Sequence, residues 1–328
     1  MEFYATLGTA CSRRETLEDM FRAGMTGIRL NLSHTSLKEC RPLLESRFFP
    51  AARTAGVMPR LMIDLQGPEL RVGQLPYPIQ LREGKDVLLG DGGIPVPDTV
   101  LDMARPGRKI ALDDSAMLLE VRRASHSVLL CRVVRGGTLN SKKSLAVLGL
   151  DTPAHTLTRE DLANLDLAGE LGVTCVMQPF VRGCKDVENL RQALDRRGLD
   201  IPIMAKIESR QGVERLDEIL SAADQLCIAR GDLGNTMPLW QLPGVQKRIA
   251  RRCREEKKPF CLVTQLLWSM QENPVPTRAE VADIYNGVLD GAAALMLTGE
   301  TAIGKHPVQA MTYLVKTARC AMEDMGKG

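Results

Sequence analysis

The sequence predicts an α/β protein, a (β/α)8 barrel with a small all-β domain inserted after its third strand, from three observations. Aromatic residues make up only 4% of the 328 residues, whereas sheet-only folds lean on aromatic and β-branched side chains. Short apolar runs alternate with amphipathic stretches of helical period along most of the chain. That alternation stops between residues 72 and 150 and then resumes.

The elements before the interruption form a β/α series. Strands are predicted at 3–7, 28–32 and 60–64, with helices at 14–23 and 37–55. From 72 to 150, short apolar runs lie between Gly and Pro turn residues, which predicts a β module. We therefore expect a barrel domain over 1–71 and 151–328, and an inserted β domain over 72–150.

The series resumes after the insert and continues to the end of the sequence. Eight strands and eight helices in total fit a closed barrel better than an open doubly wound sheet. The remaining strands are predicted at 173–177, 203–206, 225–228, 260–263 and 294–297, with helices at 162–170, 187–197, 212–221, 244–256, 278–289 and 308–322.

Composition excludes several classes of partner. The net charge is only +3, and the basic residues are dispersed, which argues against nucleic acid and membrane surfaces. There is no apolar run of transmembrane length and no signal peptide pattern, so a cytoplasmic protein is expected. The nine cysteines stand singly without a Cys-x-x-Cys pair, which predicts reduced thiols serving as small core residues.

Charged and polar residues follow the predicted strands where a barrel active site would lie. Lys206 and Glu208 are two apart and so point to the same side of an extended chain, where they form either a ligand site or a structural ion pair. The carboxyl ends of barrel strands meet at one mouth, and this makes a shared site the better interpretation of the whole set. The set comprises Arg29, Asn31, Ser33, Asp64, Lys206, Glu208, Asp232, Thr264, Gln265, Thr298 and Glu300.

The residue types in this set suit phosphoryl chemistry. Glu208 and Asp232 are hard oxygen ligands for Mg²⁺ or Mn²⁺ that leave other coordination positions to water and substrate. Lys206 and Arg29 add the positive charge that a transferring phosphoryl group requires. The site is therefore expected to bind a phosphorylated, acidic substrate.

Several motifs in fixed order resemble the pyruvate kinase family, from the first strand to the last helix. The motifs are Ile28–His34 (IRLNLSH), Asp64–Arg71 (DLQGPELR), Lys206-Ile207-Glu208, Ala229–Gly234 (ARGDLG), Thr264-Gln265 and Pro276–Glu280 (PTRAE). The resemblance implies a barrel (A domain) with a shortened β lid (B domain), and the family's C-terminal regulatory domain is expected to be absent. It also implies phosphoryl transfer between phosphoenolpyruvate and ADP, giving pyruvate and ATP.

The resemblance assigns roles to individual positions. Lys206, Thr264 and Arg29 would be catalytic: Lys206 stabilises the phosphoryl group and the enolate, Arg29 binds phosphate, and Thr264 lies on the proton route to the enolate carbon. The remaining implied sites are the substrate site at Ala229, Arg230, Gly231, Asp232 and Thr264, the nucleotide site at Arg71, Asn31, His34 and Lys143, the Mg²⁺ or Mn²⁺ site at Glu208 and Asp232, and a K⁺ site at Asn31, Ser33, Asp64 and Leu65.

Departures from the family pattern leave several points open. Glu69 resembles the potassium-dependent members, whereas Leu65, Gln66 and Val72 resemble those that need no K⁺. Near strand ends, Trp268 stands where the family has an acidic residue, and Gln178 stands where it has a smaller one. These two residues either reshape the substrate pocket or repack around a shorter lid.

Two alternative functions therefore stand beside the leading one: a metal-dependent phosphoenolpyruvate enzyme with another acceptor or reaction, and a non-catalytic binding protein. The lack of a C-terminal domain argues against effector control and the usual tetramer, and it leaves a homodimer through barrel helices open.

Overall fold

The computed structural model describes residues 1–33, 35–67, 70–113, 116–150 and 156–326. The chain divides into two compact units. The first contains Met1–Gly67, Thr156–Leu233 and Leu239–Gly328, and the second contains Pro68–His155 and Gly234–Pro238. The assignment of the second unit as a lid, with the boundaries given above, stays a prediction.

The first unit begins with three parallel strands, β1 (Glu2–Thr6), β2 (Gly27–Asn31) and β3 (Arg60–Asp64). The helical stretch predicted at 37–55 is present but interrupted. It consists of an α-helix over Leu37–Leu43, a π-helical turn over Leu44–Phe48 and a second α-helix over Phe49–Thr54. Proline has no backbone N–H, so Pro42 and Pro50 each remove a donor from the helical ladder in this stretch.

The second unit is built mainly of antiparallel β structure. Its hydrophobic core contains Leu89, Leu119, Val121 and Leu129, all nearly inaccessible to solvent. It also contains a short helix, Asp98–Met103, that the sequence analysis missed because six residues are too few to show a helical period. Its strands are β4 (Ile79–Leu81), β5 (Asp86–Gly90), β6 (Lys109–Leu112), β7 (Met117–Ala124), β8 (Val128–Arg135), β9 (Gly137–Leu139) and β10 (Leu145–Val147), arranged as β10-β6-β7-β8-β5 and β4-β9.

Five further parallel strands complete the first unit as a closed barrel in the order β1-β15-β14-β13-β12-β11-β3-β2. The predicted (β/α)8 barrel with an inserted β domain is therefore confirmed. The five strands are β11 (Cys175–Gln178), β12 (Ile203–Ile207), β13 (Gln225–Ala229), β14 (Phe260–Val263) and β15 (Ala294–Leu297).

Further helices lie between the strands of the barrel along the chain. Helices that the sequence analysis missed are the short ones directly after strand ends, such as Arg230–Asn235 and Gly299–Ala302. The other α-helices of the first unit, besides those in the stretch 37–55, are Arg14–Arg22, Arg159–Ala168, Cys184–Asp195, Arg210–Glu214, Leu216–Ala222, Leu242–Glu255, Arg278–Leu289 and Pro307–Met325. Among the described residues, no helix has both the length and the apolar character required to cross a bilayer.

The interior of the barrel is filled by inward-facing Met, Cys and other apolar side chains, including Met62, Met204 and Cys227. Successive strand residues alternate between the two faces, so the next inward position after Met62 is Asp64, and after Met204 it is Lys206. The apolar core therefore ends in a layer of polar side chains at the carboxyl ends of the strands. All nine cysteines are unpaired and six are buried, although Cys320 is exposed.

Candidate active site

Asp64 is the centre of the charged layer. It ends β3 and is 1% exposed. Its Oδ2 atom accepts hydrogen bonds from Arg29 Nε at 3.0 Å, from Arg29 Nη2 at 2.5 Å and from Lys206 Nζ at 3.2 Å. One carboxylate oxygen therefore joins the two predicted cations.

The charges of this cluster stabilise one another. Burial alone would raise the pKa of Asp64, but the neighbouring Lys206 and Arg29 hold it below the ordinary value of 3.8. Burial alone would lower the pKa of Lys206, but Asp64 and Glu208 raise it above the ordinary 10.5. At neutral pH, Asp64 is therefore a carboxylate and Lys206 an ammonium.

Glu208 lies directly beside Lys206. Its Oε1 atom is 2.8 Å from Lys206 Nζ, and its side chain is fully buried. This contact is an ion pair without hydrogen-bond geometry, so Oε1 accepts no hydrogen bond from the described residues. The other oxygen, Oε2, accepts a hydrogen bond of 2.7 Å from the backbone N–H of Phe180.

Phe180 is a site residue that the sequence analysis missed. Its backbone has φ = 53°, in the left-handed region, and this aims its N–H at Glu208. Every residue except proline has a backbone N–H, so the residue type could not identify this donor. The available signal was position: Phe180 follows the carboxyl end of β11, at the edge of the barrel where the site is expected.

Thr6 was missed as well. It ends β1, where its Oγ1 accepts a hydrogen bond of 3.2 Å from Arg29 Nη1 and donates one of 2.9 Å to the carbonyl of Leu297. Arg29 thus has one hydrogen-bond partner on each neighbouring strand, Thr6 and Asp64. A polar residue at the end of an apolar strand was the available signal.

Asp232 belongs to the same electrostatic cluster. It lies on the short helix directly after β13 and is half-buried. Its carboxylate also raises the pKa of Lys206, by less than Asp64 and Glu208 do. Among the described residues, no three His, Cys, Asp or Glu side chains have the arrangement of a metal site, so the predicted divalent site depends on two carboxylates alone.

The predicted monovalent-ion residues lie next to one another. Asn31 is paired with Asp64 in the register of β2 and β3, and Ser33 donates its backbone N–H to Asn31 Oδ1 at 3.3 Å. Leu65 follows Asp64 and is 1% exposed. Within the described part of the chain, Asp64 Oδ1 is buried without a hydrogen-bond partner, which is the state of an oxygen available to a cation.

Thr264 follows the end of β14 in an unusual conformation. It has φ = 78° and the next residue, Gln265, has φ = 56°. Such a conformation costs about 1–3 kcal/mol and is rare for a β-branched residue. The Thr264 side chain packs against Gly231, where an added Cβ would meet Cγ2 at 3.0 Å. Thr264 and the Ala229–Gly231 segment are therefore in direct contact.

Some predicted site residues have other contacts. Arg71 donates to the carbonyl of Lys142 at 2.7 Å, and Lys143 Nζ is 2.8 Å from Asp113 Oδ1, all within the second unit. His34, predicted to face the nucleotide, and Glu69, which bears on the K⁺ question, lie outside the described residues.

Glu300, another member of the predicted set, has its carboxylate occupied by backbone donors. It is fully buried and accepts backbone hydrogen bonds from Leu267 at 3.1 Å and Thr298 at 2.8 Å. Its carboxylate therefore ties together the loops that follow β14 and β15, because buried backbone donors require acceptors.

The two unusual residues have different environments. Gln178 is fully buried, and its Nε2 donates to the carbonyl of Asp186 at 2.8 Å in the helix Cys184–Asp195. In β11, Cys175 and Met177 face the barrel interior, so Gln178 faces the helices. This favours repacking over a reshaped pocket at Gln178. Trp268 is 52% exposed.

The fold and the charged layer together define a (β/α)8-barrel protein with a cluster of charged side chains at the carboxyl ends of its strands, the edge at which barrel proteins place their sites. Residues 2–311 match the family model described as pyruvate kinase, barrel domain. The chain belongs to the pyruvate kinase family.

Curated relatives agree with this assignment. The chain is 36% identical to a pyruvate kinase of Mycobacterium intracellulare, in an alignment that covers 97% of this chain and 69% of the relative. It is also 36% identical to a pyruvate kinase of Chlamydia trachomatis serovar D, covering 98% and 67%, and to one of Aeropyrum pernix, covering 99% and 71%.

Proposed function

We propose that this chain transfers a phosphoryl group between phosphoenolpyruvate and ADP, producing pyruvate and ATP. The observation that carries the proposal is Lys206, held as an ammonium by Asp64 and Glu208 at the mouth of the barrel. A fixed positive charge there stabilises the charge that develops on a transferring phosphoryl group and on the enolate it leaves behind.

Arg29 is the second phosphate-binding group in this proposal. Its side chain is 13% exposed, and three hydrogen bonds to Asp64 and Thr6 fix the guanidinium. A guanidinium has five N–H groups, so two remain for phosphoryl oxygens after these three contacts with described residues. An already oriented cation of this kind binds phosphate without a further ordering cost.

Glu208 and Asp232 fit a divalent ion, Mg²⁺ or Mn²⁺. Both are carboxylates beside Lys206, and Glu208 Oε1 has no hydrogen bond from the described residues. When bound, such an ion supplies Lewis-acid stabilisation to phosphoryl and enolate oxygens. Phe180 orients the Glu208 carboxylate for this role through its backbone N–H.

A K⁺ ion fits the neighbouring pocket formed by Asn31, Ser33, Asp64 and the backbone of Leu65. The support is the adjacency of Asn31 and Asp64 and the unsatisfied Asp64 Oδ1. An added cation would offset the repulsion between the Asp64 carboxylate and an anionic substrate.

The remaining assignments belong to the same proposal. The backbone of Ala229, Arg230 and Gly231 binds the substrate carboxylate, and Thr264 lies on the proton route to the enolate carbon. We propose a nucleotide-binding role for Asn31, His34, Arg71 and Lys143, and a lid role for the second unit. We further propose a cytoplasmic enzyme of glycolysis.

An assay of pyruvate formation tests the function. Phosphoenolpyruvate and ADP are supplied with Mg²⁺, with and without K⁺, and pyruvate is measured by reduction with lactate dehydrogenase. We expect turnover with ADP, and a loss of at least about 100-fold in Lys206→Met, since the removed charge acts in the transition state. Absence of pyruvate under both salt conditions would refute the proposal, and a better acceptor than ADP in a panel of nucleotides and sugars would redirect it.

A further inference from the structure

The strained backbone at Thr264 requires a structural support. A β-branched residue with φ = 78° persists only where its surroundings hold it in place, and Gln265 extends the left-handed backbone to a second residue. The segment is at the carboxyl end of β14, where the site lies.

Arg230 provides that support through the Thr264 carbonyl. Its Nε and Nη2 atoms both donate to Thr264 O, at 3.2 and 2.7 Å. Its Nη1 atom donates to Asp283 Oδ1 at 2.8 Å, and Asp283 lies on the helix Arg278–Leu289. The Arg230 side chain is only 13% exposed, so these contacts form largely out of water.

The same residues fix the Thr264 side chain. The Thr264 side chain lies against Gly231. A Cβ atom added to Gly231 would be 3.0 Å from Thr264 Cγ2 and 3.6 Å from Thr264 Oγ1. Arg230 and Gly231 are consecutive, so one segment holds both the backbone and the side chain of Thr264.

We infer that Arg230 is a positioning residue for the proton-transfer step, acting through the backbone of Thr264. This inference rests on the proposed function. In that step the enolate of pyruvate gains a proton at its methylene carbon: a C–H bond forms, the C=C electron pair supplies it, and the enolate oxygen becomes a carbonyl. The proton comes from solvent along the route on which Thr264 lies. Arg230 need not touch the reacting atoms.

The chemistry of the side chain explains why arginine occupies this position. A planar guanidinium directs two N–H groups to one carbonyl and a third to a carboxylate, whereas lysine offers a single ammonium on a flexible stem. Arg230→Lys therefore keeps the charge but cannot hold both Thr264 and Asp283 in the same arrangement.

The test separates proton transfer from the other steps. In the reverse direction the enzyme removes a methyl proton of pyruvate, so with Mg²⁺ and ATP in D2O the rate of deuterium incorporation, followed by ¹H NMR, reports that step. We expect Arg230→Lys to lower the exchange rate by about 100-fold, because small misplacements of catalytic groups have effects of this size. The KM for phosphoenolpyruvate should change far less than the exchange rate. Arg230→Met should lower the exchange rate more than Arg230→Lys does.

Arg197 offers a matched control. Like Arg230, it donates to a carboxylate and to backbone carbonyls: to Asp166 at 2.7 Å, and to the carbonyls of Ala193 and Leu162. Unlike Arg230, it lies just past the carboxyl end of the helix Cys184–Asp195. Arg197→Lys should leave the exchange rate and kcat unchanged.

The possible results are distinguishable. Wild-type exchange in Arg230→Lys, or equal effects of Arg230→Lys and Arg197→Lys, would overturn the inference. If the Arg230 variants do not fold, Asp283→Asn takes their place; it weakens the anchor of Arg230 and should still reduce exchange, and unchanged exchange would again overturn the inference. A wild-type enzyme without pyruvate formation would instead refute the proposed function.

Discussion

Lys206 and Glu208 form an ion pair in the mouth of the barrel, with Nζ 2.8 Å from Oε1 and the glutamate side chain fully buried. The sequence could not decide whether this pair is structural or part of a ligand site. The geometry shows that Glu208 is also oriented by Phe180 and that Lys206 also binds Asp64. A shared cluster of this kind supports catalysis more than the closure of a strand end.

Glu208→Gln tests the divalent site. The substitution preserves the shape of the side chain and removes the negative charge, so we expect Mg²⁺ affinity to fall by at least about 10-fold, the loss seen even for outer partners of metal ligands. Mg²⁺ titration of the initial rate measures this. Glu170→Gln, at an exposed partner of Arg41, is the control and should have the wild-type Mg²⁺ dependence. An unchanged Mg²⁺ requirement in Glu208→Gln would place the metal elsewhere.

Asp64→Asn should destabilise the fold. It leaves Arg29 and Lys206 adjacent in the barrel without the carboxylate that both contact, and removing one partner of a buried charge pair costs about 3–5 kcal/mol. Urea unfolding gives the change in free energy of unfolding. Glu170→Gln removes one partner of an exposed pair and should cost only a small fraction of this. Equal effects would show that Asp64 does not hold the cluster.

The pH dependence of stability follows from the lowered pKa of Asp64. A carboxyl group whose folded pKa lies below its unfolded value stabilises the protein above the unfolded pKa, and this stabilisation is lost as pH falls through the folded pKa. The difference in unfolding free energy between wild type and Asp64→Asn should therefore be constant near neutrality and shrink below pH 3.8. A difference that instead grows as the pH falls from 7 to 5 would mean that the pKa of Asp64 is raised.

Gly231→Ala probes the contact with Thr264. A new methyl group would meet Thr264 Cγ2 at 3.0 Å, closer than ordinary contact, so Thr264 must shift and kcat should fall. Gly244→Ala is the control, because no atom lies within 4 Å of its Cβ position. Kinetics with phosphoenolpyruvate and ADP compare the two variants. Wild-type kcat in Gly231→Ala would contradict the proposed importance of the Thr264 position.

Gln178→Ala distinguishes repacking from a reshaped pocket. The side chain is fully buried and donates to Asp186 in the adjacent helix, so its loss should reduce the free energy of unfolding by about 1–3 kcal/mol. The KM for phosphoenolpyruvate should not change. A changed KM with unchanged stability would show that Gln178 acts on the substrate pocket instead.

The barrel could be predicted from sequence because its strands are short apolar runs buried on both faces. Each observed barrel strand begins and ends within two residues of its predicted limits, as for Ile203–Ile207. The helix at 37–55 was predicted as one element, since its apolar period continues through Pro42, while the missing N–H groups change its hydrogen bonding locally. Helices of four to six residues, such as Gly299–Ala302, span fewer than two turns, so their sequences cannot show a repeating helical pattern.

The site was predictable where chemistry resides in side chains and not where it resides in the backbone. Asp64 and Lys206 could be identified because two-residue alternation puts them on the inner face beyond the apolar core. The orientations of the Phe180 N–H and the Thr264 carbonyl result from left-handed backbone conformations, which the residue types Phe and Thr do not predict. The backbone hydrogen bonds of Glu300, which fix the turns after β14 and β15, could not be read from its residue type either.

The central claim is that Glu208 and Asp232 bind the divalent ion. A crystal structure of the protein with Mn²⁺ and oxalate tests this claim most directly. The two carboxylates of oxalate mimic the enolate and carboxylate of pyruvate, and anomalous scattering locates the Mn²⁺ ion. We predict an anomalous peak between the carboxylates of Glu208 and Asp232, with oxalate on the same ion beside Lys206. A peak elsewhere, with Glu208 still paired only to Lys206 and Phe180, would contradict the account.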